Sequence, residues 1–233
     1  MDNLLSDVRY ACRNLIKRPG FTLIAVLTLA LGIGANSAIF SAVNALLLKP
    51  LQFPELERVV TVWDKMPARS VEHNECTMAN YLDWKAQNQT FAHMGLSRWW
   101  SANLSGSGES PERIQGFLVT SSFFDVLGTK PLMGRTLLEE ENQPCKDAVA
   151  VIGYSLWQRR FGADPNIINK QITINNITRT VVGVMPERIN YPKGAEIYAP
   201  IAITPEMSRS RDNHSYYVVG RLKPGVTKES AQA

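Results

Sequence analysis

The longest apolar stretch of the chain runs from Gly20 to Leu48 and contains no charged residue. At about 1.5 Å of rise per residue, a helix of this length crosses a hydrocarbon core of about 30 Å with room to tilt. Its polar members are uncharged Thr, Ser and Asn side chains, which can be hydrogen-bonded within a membrane. The pattern therefore predicts a transmembrane helix over residues 20–48. A buried helix of a soluble core is the alternative, although such helices are usually about half as long.

Residues 1–19, which precede this stretch, have a different pattern. Apolar side chains recur at helical spacing over residues 2–17, and a row of basic side chains lies opposite them. The basic row consists of Arg9, Arg13, Lys17 and Arg18. We predict a cytoplasmic amphipathic helix whose cationic side chains contact anionic headgroups of membrane lipid, with a break at Pro19 and Gly20. A solvated extension of the transmembrane helix is the alternative.

Small side chains recur along one side of the predicted transmembrane helix. They are Ala30, Gly34, Ser37, Ala38, Ser41 and Ala42. Small residues at every fourth position let a second helix approach closely, so this side is predicted to be a helix-packing face. Small residues are also common in any membrane helix, which is the simpler interpretation.

The charge distribution predicts the orientation in the membrane. The chain has a formal net charge of +4, and its Lys and Arg side chains are dense before the apolar stretch and sparse just after it. Short flanks rich in Lys and Arg stay in the cytoplasm, so residues 49–233 are predicted to lie on the extracytoplasmic side of the membrane. The same bias explains the net charge without nucleic-acid binding. A cleaved secretory signal is the rival interpretation, but its apolar region is only about 7–15 residues long.

Strand-like and helix-like patterns interleave irregularly after the apolar stretch. Strands are predicted over residues 58–65, 92–104, 113–119, 147–152, 170–175, 178–185, 197–203 and 216–222. Helices are predicted over residues 77–87 with Thr77 as the cap, and over residues 121–128 with Ser121 or Ser122 as the cap. Two more helices are predicted over residues 155–161 and from near residue 227. Asn175-Asn176 is predicted to be a hairpin turn. The predicted fold class is α+β: one N-terminal transmembrane helix, followed by a mixed α+β extracytoplasmic domain over residues 49–233.

The motifs that suggest catalysis are incomplete. Gly32-Ile33-Gly34 resembles part of a dinucleotide fingerprint, but it lies inside one apolar helix with no strand before it. His73 and Glu75 match half of a zinc-deaminase signature, whose other half would need a cysteine where Ala148 stands. The sequence contains no P-loop, no nucleophile elbow and no H-E-x-x-H. We therefore predict no catalytic residues, no cofactor and no metal, and a protein that is not an enzyme.

Three remaining features receive structural interpretations. Cys76 and Cys145 would both lie outside, where a disulfide can form, but we expect two buried free thiols. The acidic run over residues 139–141 is expected to be a solvated face. At least one indole of Trp99 and Trp100 is expected to pack in the core.

Three segments of the chain together resemble one family. DVRYACRNLIKRPGFTLIAVLTLALGIGANSAIFSAVNALLLKPLQFPELERVV resembles the N-terminus of MacB-like ABC-transporter permeases, especially the duplicated orphan permeases abundant in acidobacteria. VAVIGYSLWQRRFGADPNIINKQITINNITRTVVGVMP resembles the MacB-like periplasmic core domain, and YYVVGRLKPGVT resembles its closing strand. The likeness extends from Asp7 to about Ala231.

The resemblance implies a non-catalytic permease component of an ABC transporter. Its outer domain, with a porter-like part and a smaller lobe, would relay ATP-driven motion or contact substrate or a partner in the periplasm. Other permease helices and an ABC ATPase subunit are the partners that it implies. The family's FtsX-like membrane part does not follow in this sequence, so we expect a fragment or a remnant. A membrane-anchored binding or scaffold domain without transport activity is the alternative function.

Overall fold

The computed structural model describes residues 10, 13, 16–43, 54–66, 71–106, 110–189 and 191–232, with the main chain alone at 41–43 and 66. The chain divides into two compact units, residues 1–50 and residues 51–233. The second unit is called the outer unit below. The predicted division into a porter-like part and a smaller lobe stays a prediction.

The first unit contains helix α1, Pro19–Val43. Proline suits the first helical position because its missing N–H would have no partner there. Arg18 is not helical whereas Lys17 is, so a break lies one residue before the predicted position, and Pro19 and Gly20 are both helical. Residues 19–40 form a candidate membrane span with a mean hydropathy of 2.1, and none of the span is buried. A core helix of a soluble protein would be mostly buried. The predicted end of the helix at Leu48 lies outside the described residues.

The outer unit combines strands and short helices. Its strands are β1 (Val59–Val62), β2 (Asp64–Met66), β3 (Val71–Asn74), β4 (Phe91–Ser105), β5 (Glu112–Val119), β6 (Met133–Gly134), β7 (Val149–Ile152), β8 (Gln171–Ile174), β9 (Ile177–Val184), β10 (Ile197–Pro200) and β11 (Tyr217–Leu222). Its helices are α2 (Met78–Gln87), α3 (Phe123–Leu127), α4 (Tyr154–Phe161), α5 (Pro205–Arg209) and α6 (Lys228–Gln232). Short 3-10 helices cover Leu56–Arg58 and Glu139–Asn142.

Nine strands form one mixed sheet in the order β1-β11-β4-β5-β10-β7-β9-β6, with β8 pairing with both β4 and β9. The pairs β5–β10 and β7–β9 are parallel, and the other pairs are antiparallel. Because β8 joins β4 to β9, the strands β4, β5, β10, β7, β9 and β8 close into a ring of hydrogen-bonded neighbours. One candidate membrane helix, followed along the chain by this mixed sheet and its helices, confirms the predicted α+β class.

The core lies on both faces of the sheet. Ala102, Leu104, Ile152 and Ile174 belong to a cluster inside the ring, which we call the ring core. A second cluster packs β11 and the start of β4 against α2 and includes Tyr81 and Leu96. A third cluster covers the face of the sheet opposite the ring core, where α3 contributes Phe123 and Phe124. Alternation along the strands divides these clusters between the faces, as expected for a sheet buried on both sides.

Local sequence signals placed several boundaries correctly. Asn175 and Asn176 both have positive φ, 49° and 63°, which is the geometry of the predicted two-residue hairpin turn. Gly162 ends α4 in the left-handed conformation, as Gly128 ends α3. Trp100 packs against the ring core while Trp99 is 53% exposed, so one indole of the pair is in the core.

Three local predictions were wrong. Ser122 does not cap α3 with its side chain; its Oγ donates to the Met94 carbonyl of β4 instead. Glu141, predicted to be solvated, is buried because Arg135 and the Leu138 N–H both bind its carboxylate. Cys145, predicted to be buried, is exposed in a turn where its φ is 68°. The Ser122 hydroxyl is thus bound by a residue that is remote in sequence, and Glu141 by residues of the preceding loop.

The cap of α2 gives a first testable prediction. The Thr77 hydroxyl accepts a hydrogen bond of 3.1 Å from the Asn80 N–H, and Thr77 is fully buried. Thr77→Val removes this acceptor at nearly constant volume, so we expect the free energy of unfolding to fall by about 1–2 kcal/mol. Denaturant unfolding of the full chain in detergent, followed by tryptophan fluorescence, measures the change. Thr77→Ser keeps the acceptor, and a loss as large as that of Thr77→Val would contradict the capping role.

Candidate functional site

The predicted helix-packing face is exposed where the structure describes it. Ala30, Gly34, Ser37 and Ala38 are all exposed on α1, and a methyl group added to Gly34 would meet no atom within 4 Å. Ser41 and Ala42 are helical. The face is therefore available to a second helix, and its role in packing stays a prediction.

The predicted basic row falls largely at the edge of the described residues. Arg13 and Lys17 are helical and exposed, and Arg18 is exposed at the break before α1. Arg9 and most of the predicted amphipathic helix over residues 2–17 lie outside the described residues. The contact of this row with lipid stays a prediction.

His73 and Glu75, from the incomplete zinc-deaminase motif, contact aromatic side chains of the outer unit. The His73 ring meets the Trp63 ring edge-on at 5.6 Å. Glu75 accepts a hydrogen bond from the Tyr217 hydroxyl, which raises the pKa of that phenol. No group of three His, Cys, Asp or Glu side chains among the described residues could hold a metal ion. Burial raises the pKa of the free thiol of Cys76 to about 12, so this thiol is protonated at neutral pH and is a poor nucleophile.

A buried arginine holds the first described segment of the outer unit. Arg221, only 6% exposed, lies near the end of β11. Its Nε donates to the Val126 carbonyl of α3 at 2.8 Å, and its Nη2 donates to the Pro54 carbonyl at 2.9 Å. Its Nη1 lies 3.3 Å from a carboxylate oxygen of Glu55. One guanidinium therefore joins the chain before β1 to both β11 and α3.

Arg58 adds a second connection at the same place. Its Nε and Nη2 donate to the Leu222 carbonyl at 3.0 and 2.7 Å, and its Nη1 contacts Glu55 at 2.5 Å. Gly128 leaves room for the Arg221 guanidinium, because a Cβ at that position would lie only 2.8 Å from Nη2 of Arg221. We call Pro54, Glu55, Arg58 and Arg221 the Arg221 network.

The Arg221 network connects the segment before β1 to the body of the outer unit. Its bonds join the segment before β1, residues 54–58, to β11 and to α3. Sequence reasoning missed this site. The available signal was a charged residue inside the apolar strand pattern of residues 217–222, because such a residue is rarely buried unless it is paired.

A family model matches most of the chain, and solved structures share its fold. A model of the MacB-like periplasmic core domain matches residues 22–233 of the chain. A domain assigned to a permease protein from Porphyromonas gingivalis is similar in structure, with a TM-score of 0.60 at 17% identity over 77% of this chain and 81% of that chain. The periplasmic region of MacB from Actinobacillus actinomycetemcomitans has a TM-score of 0.54 at 18% identity, over 75% of this chain and 78% of that chain. None of the curated proteins compared with the chain matches it. At these identities the two structures establish a shared fold.

Proposed function

The chain belongs to the MacB-like periplasmic core domain family, and we propose that it is a permease component whose outer unit relays ATP-driven motion or contacts a substrate or partner in the periplasm. The family is one of ABC-transporter permease domains, which are generally not catalytic. The observation that carries the proposal is the extent of the family match, which covers most of α1 and all of the outer unit. The Arg221 network supports the relay, because it fixes the segment that leads from the helix to the outer unit.

The proposed location is the bacterial inner membrane, with the N-terminus in the cytoplasm and the outer unit in the periplasm. The exposed apolar surface of α1 supports insertion, since its mean hydropathy is 2.1 over 22 residues. The orientation rests on the basic row before the helix. Cysteine labelling with a membrane-impermeant reagent tests it: the exposed Cys145 should be labelled from the periplasmic side of intact spheroplasts.

The proposed partners are other permease helices and an ABC ATPase subunit. A membrane pull-down of the tagged full chain, with partners identified by mass spectrometry, tests this proposal. Recovery of an ABC ATPase or a longer permease would support the transporter role. Stable insertion without either partner would contradict it and would favour the binding or scaffold alternative.

The helix-packing face gives a second testable prediction. Replacing Gly34 and Ala38 together by Leu fills the side on which a partner helix is expected, so crosslinking of α1 to its partner helices should fall at least fivefold. Gly32→Leu with Ala25→Leu is the matched control, because it adds the same bulk to the opposite side of α1. Equal crosslinking yields for the two double variants would contradict the assignment of this face.

A further inference from the structure

A cleft of about 300 Å³ lies beside the ring core. Its floor includes Trp100 of β4 and Leu118 of β5, two strands that pair directly. Ile177 and Met207 add apolar wall. Trp100 shares a face of the sheet with Ala102 of the ring core, so the cleft is at the mouth of the closed ring of strands. Barrel mouths are a common location for ligand pockets, whose volumes begin at about 300 Å³.

One wall of the cleft carries a deeply buried arginine. Arg179 is 4% exposed and lies directly opposite Ile172 of the ring core. Its guanidinium carbon is 5.5 Å from the centre of the Trp100 ring, and its Nη2 is 3.5 Å from a carboxylate oxygen of Asp147. Its buried Nε has no hydrogen-bond partner among the described residues. Burial lowers the pKa of Arg179, and the Asp147 carboxylate opposes that shift.

A second arginine in the same cleft has no anionic partner among the residues that the structure describes. Arg98 is half-buried, and its guanidinium carbon lies 5.9 Å from the centre of the Tyr216 ring. Within the described part of the chain, its guanidinium forms no hydrogen bond or ion pair. Asp147 is the one carboxylate among the described residues that line the cleft. Two guanidinium groups and one carboxylate leave a net charge of +1 in a largely apolar cleft.

We propose that this cleft binds a small amphipathic carboxylate, with one negative charge near Arg98 and an apolar body against Trp100 and Leu118. A planar guanidinium matches a carboxylate in geometry, and a single negative charge neutralises the net charge of +1 in the cleft. Such a group is carried by free organic acids and by the C-terminus of a peptide with an apolar last residue. The proposal rests on the cleft alone and does not depend on the proposed transport role.

The test uses the full chain in lipid nanodiscs and N-acetyl-phenylalanine as the probe. Saturation-transfer NMR titration should show binding with a Kd on the order of 1 mM, as expected for a ligand of this size. N-acetyl-phenylalaninamide is the matched uncharged probe and should bind at least tenfold more weakly. Empty nanodiscs correct for partition of either probe into lipid.

Three variants test whether the acid binds in this cleft. Arg98→Met keeps the apolar stem and removes the charge, so the acid should bind about tenfold more weakly. Asp147→Asn removes the competing carboxylate, so binding should tighten by threefold or more. Arg113→Met removes an exposed arginine of β5 that does not line the cleft and should change nothing. A variant that weakens and one that strengthens binding cannot both be explained by loss of folding.

The outcomes separate the proposal from its rivals. Three results would each overturn the proposal. They are equal binding of the acid and the amide, an equal loss of binding in Arg98→Met and Arg113→Met, and no binding of the acid at about 10 mM, tenfold its expected Kd. A tripeptide with a free C-terminal Phe, compared with its C-terminal amide, distinguishes the source. If the tripeptide acid binds more tightly than N-acetyl-phenylalanine, the natural ligand is a peptide C-terminus. If it binds more weakly, the natural ligand is a free organic acid. Failure to recover an ABC ATPase would leave this result unaffected, so the two proposals fail separately.

Discussion

Replacing Arg221 by Met is expected to lower the free energy of unfolding of the outer unit by about 3 kcal/mol. The variant keeps the apolar stem but leaves the carbonyls of Val126 and Pro54 without their arginine donors. A hydrogen bond from a charged donor is worth about 1.5–3 kcal/mol, and an unsatisfied buried acceptor has a similar cost. All five tryptophans lie between residues 63 and 157, so their fluorescence during denaturant unfolding reports on the outer unit.

The matched control for this prediction is Glu55→Gln. Glu55 also contacts Arg221, but its side chain is 56% exposed, so this ion pair should contribute less than about 1 kcal/mol. A loss of stability in Glu55→Gln as large as that in Arg221→Met would show that the ion pair, and not the hydrogen bond to the Pro54 carbonyl, holds the segment before β1.

Asn142→Asp is expected to have a comparable effect although it changes one atom of the side chain. The Asn142 amide nitrogen donates to the Val119 carbonyl at 3.3 Å and the Ile201 carbonyl at 3.1 Å, next to the parallel pair β5–β10. Its amide oxygen accepts from the Ser121 N–H at 2.7 Å. A carboxylate keeps the last contact but turns the other two into repulsion between buried oxygens. We expect a loss of about 3 kcal/mol or more at neutral pH.

The control for this substitution is Asn166→Asp, the same chemical change at an exposed position. Its effect on the free energy of unfolding should stay within about 0.5 kcal/mol. If Asn142→Asp were equally mild, the amide would not be the connection between the end of β5 and the segment after β10.

Features set by neighbouring residues were predictable from the sequence. The Asn175-Asn176 turn, the Thr77 cap and the glycine ends of α3 and α4 each depend on residues within one turn of the chain. The candidate membrane span was predictable because it is defined by length and hydropathy alone. The resemblance to the MacB-like family also came from the sequence, and the family match confirms it.

Features set by distant residues were not predictable. The closure of the ring depends on β8 reaching both β4 and β9, and no local pattern specifies the first of these pairings. The net positive charge of the cleft depends on Arg98 and Arg179, which are remote from each other in sequence. The predicted faces of α1 concern partners, which a single chain does not contain.

The position of β1 at the edge of the sheet makes the strength of the outer unit depend on the direction of a load. A pull along β1 shears its four residue pairs with β11 together, so the pairs resist as one. A pull across the strand peels those pairs one at a time from Val59 onward. Arg58 precedes Val59 and is fixed to Leu222, so peeling must first break that contact. The outer unit is therefore stiff toward a tether that pulls along β1 and compliant toward one that pulls sideways.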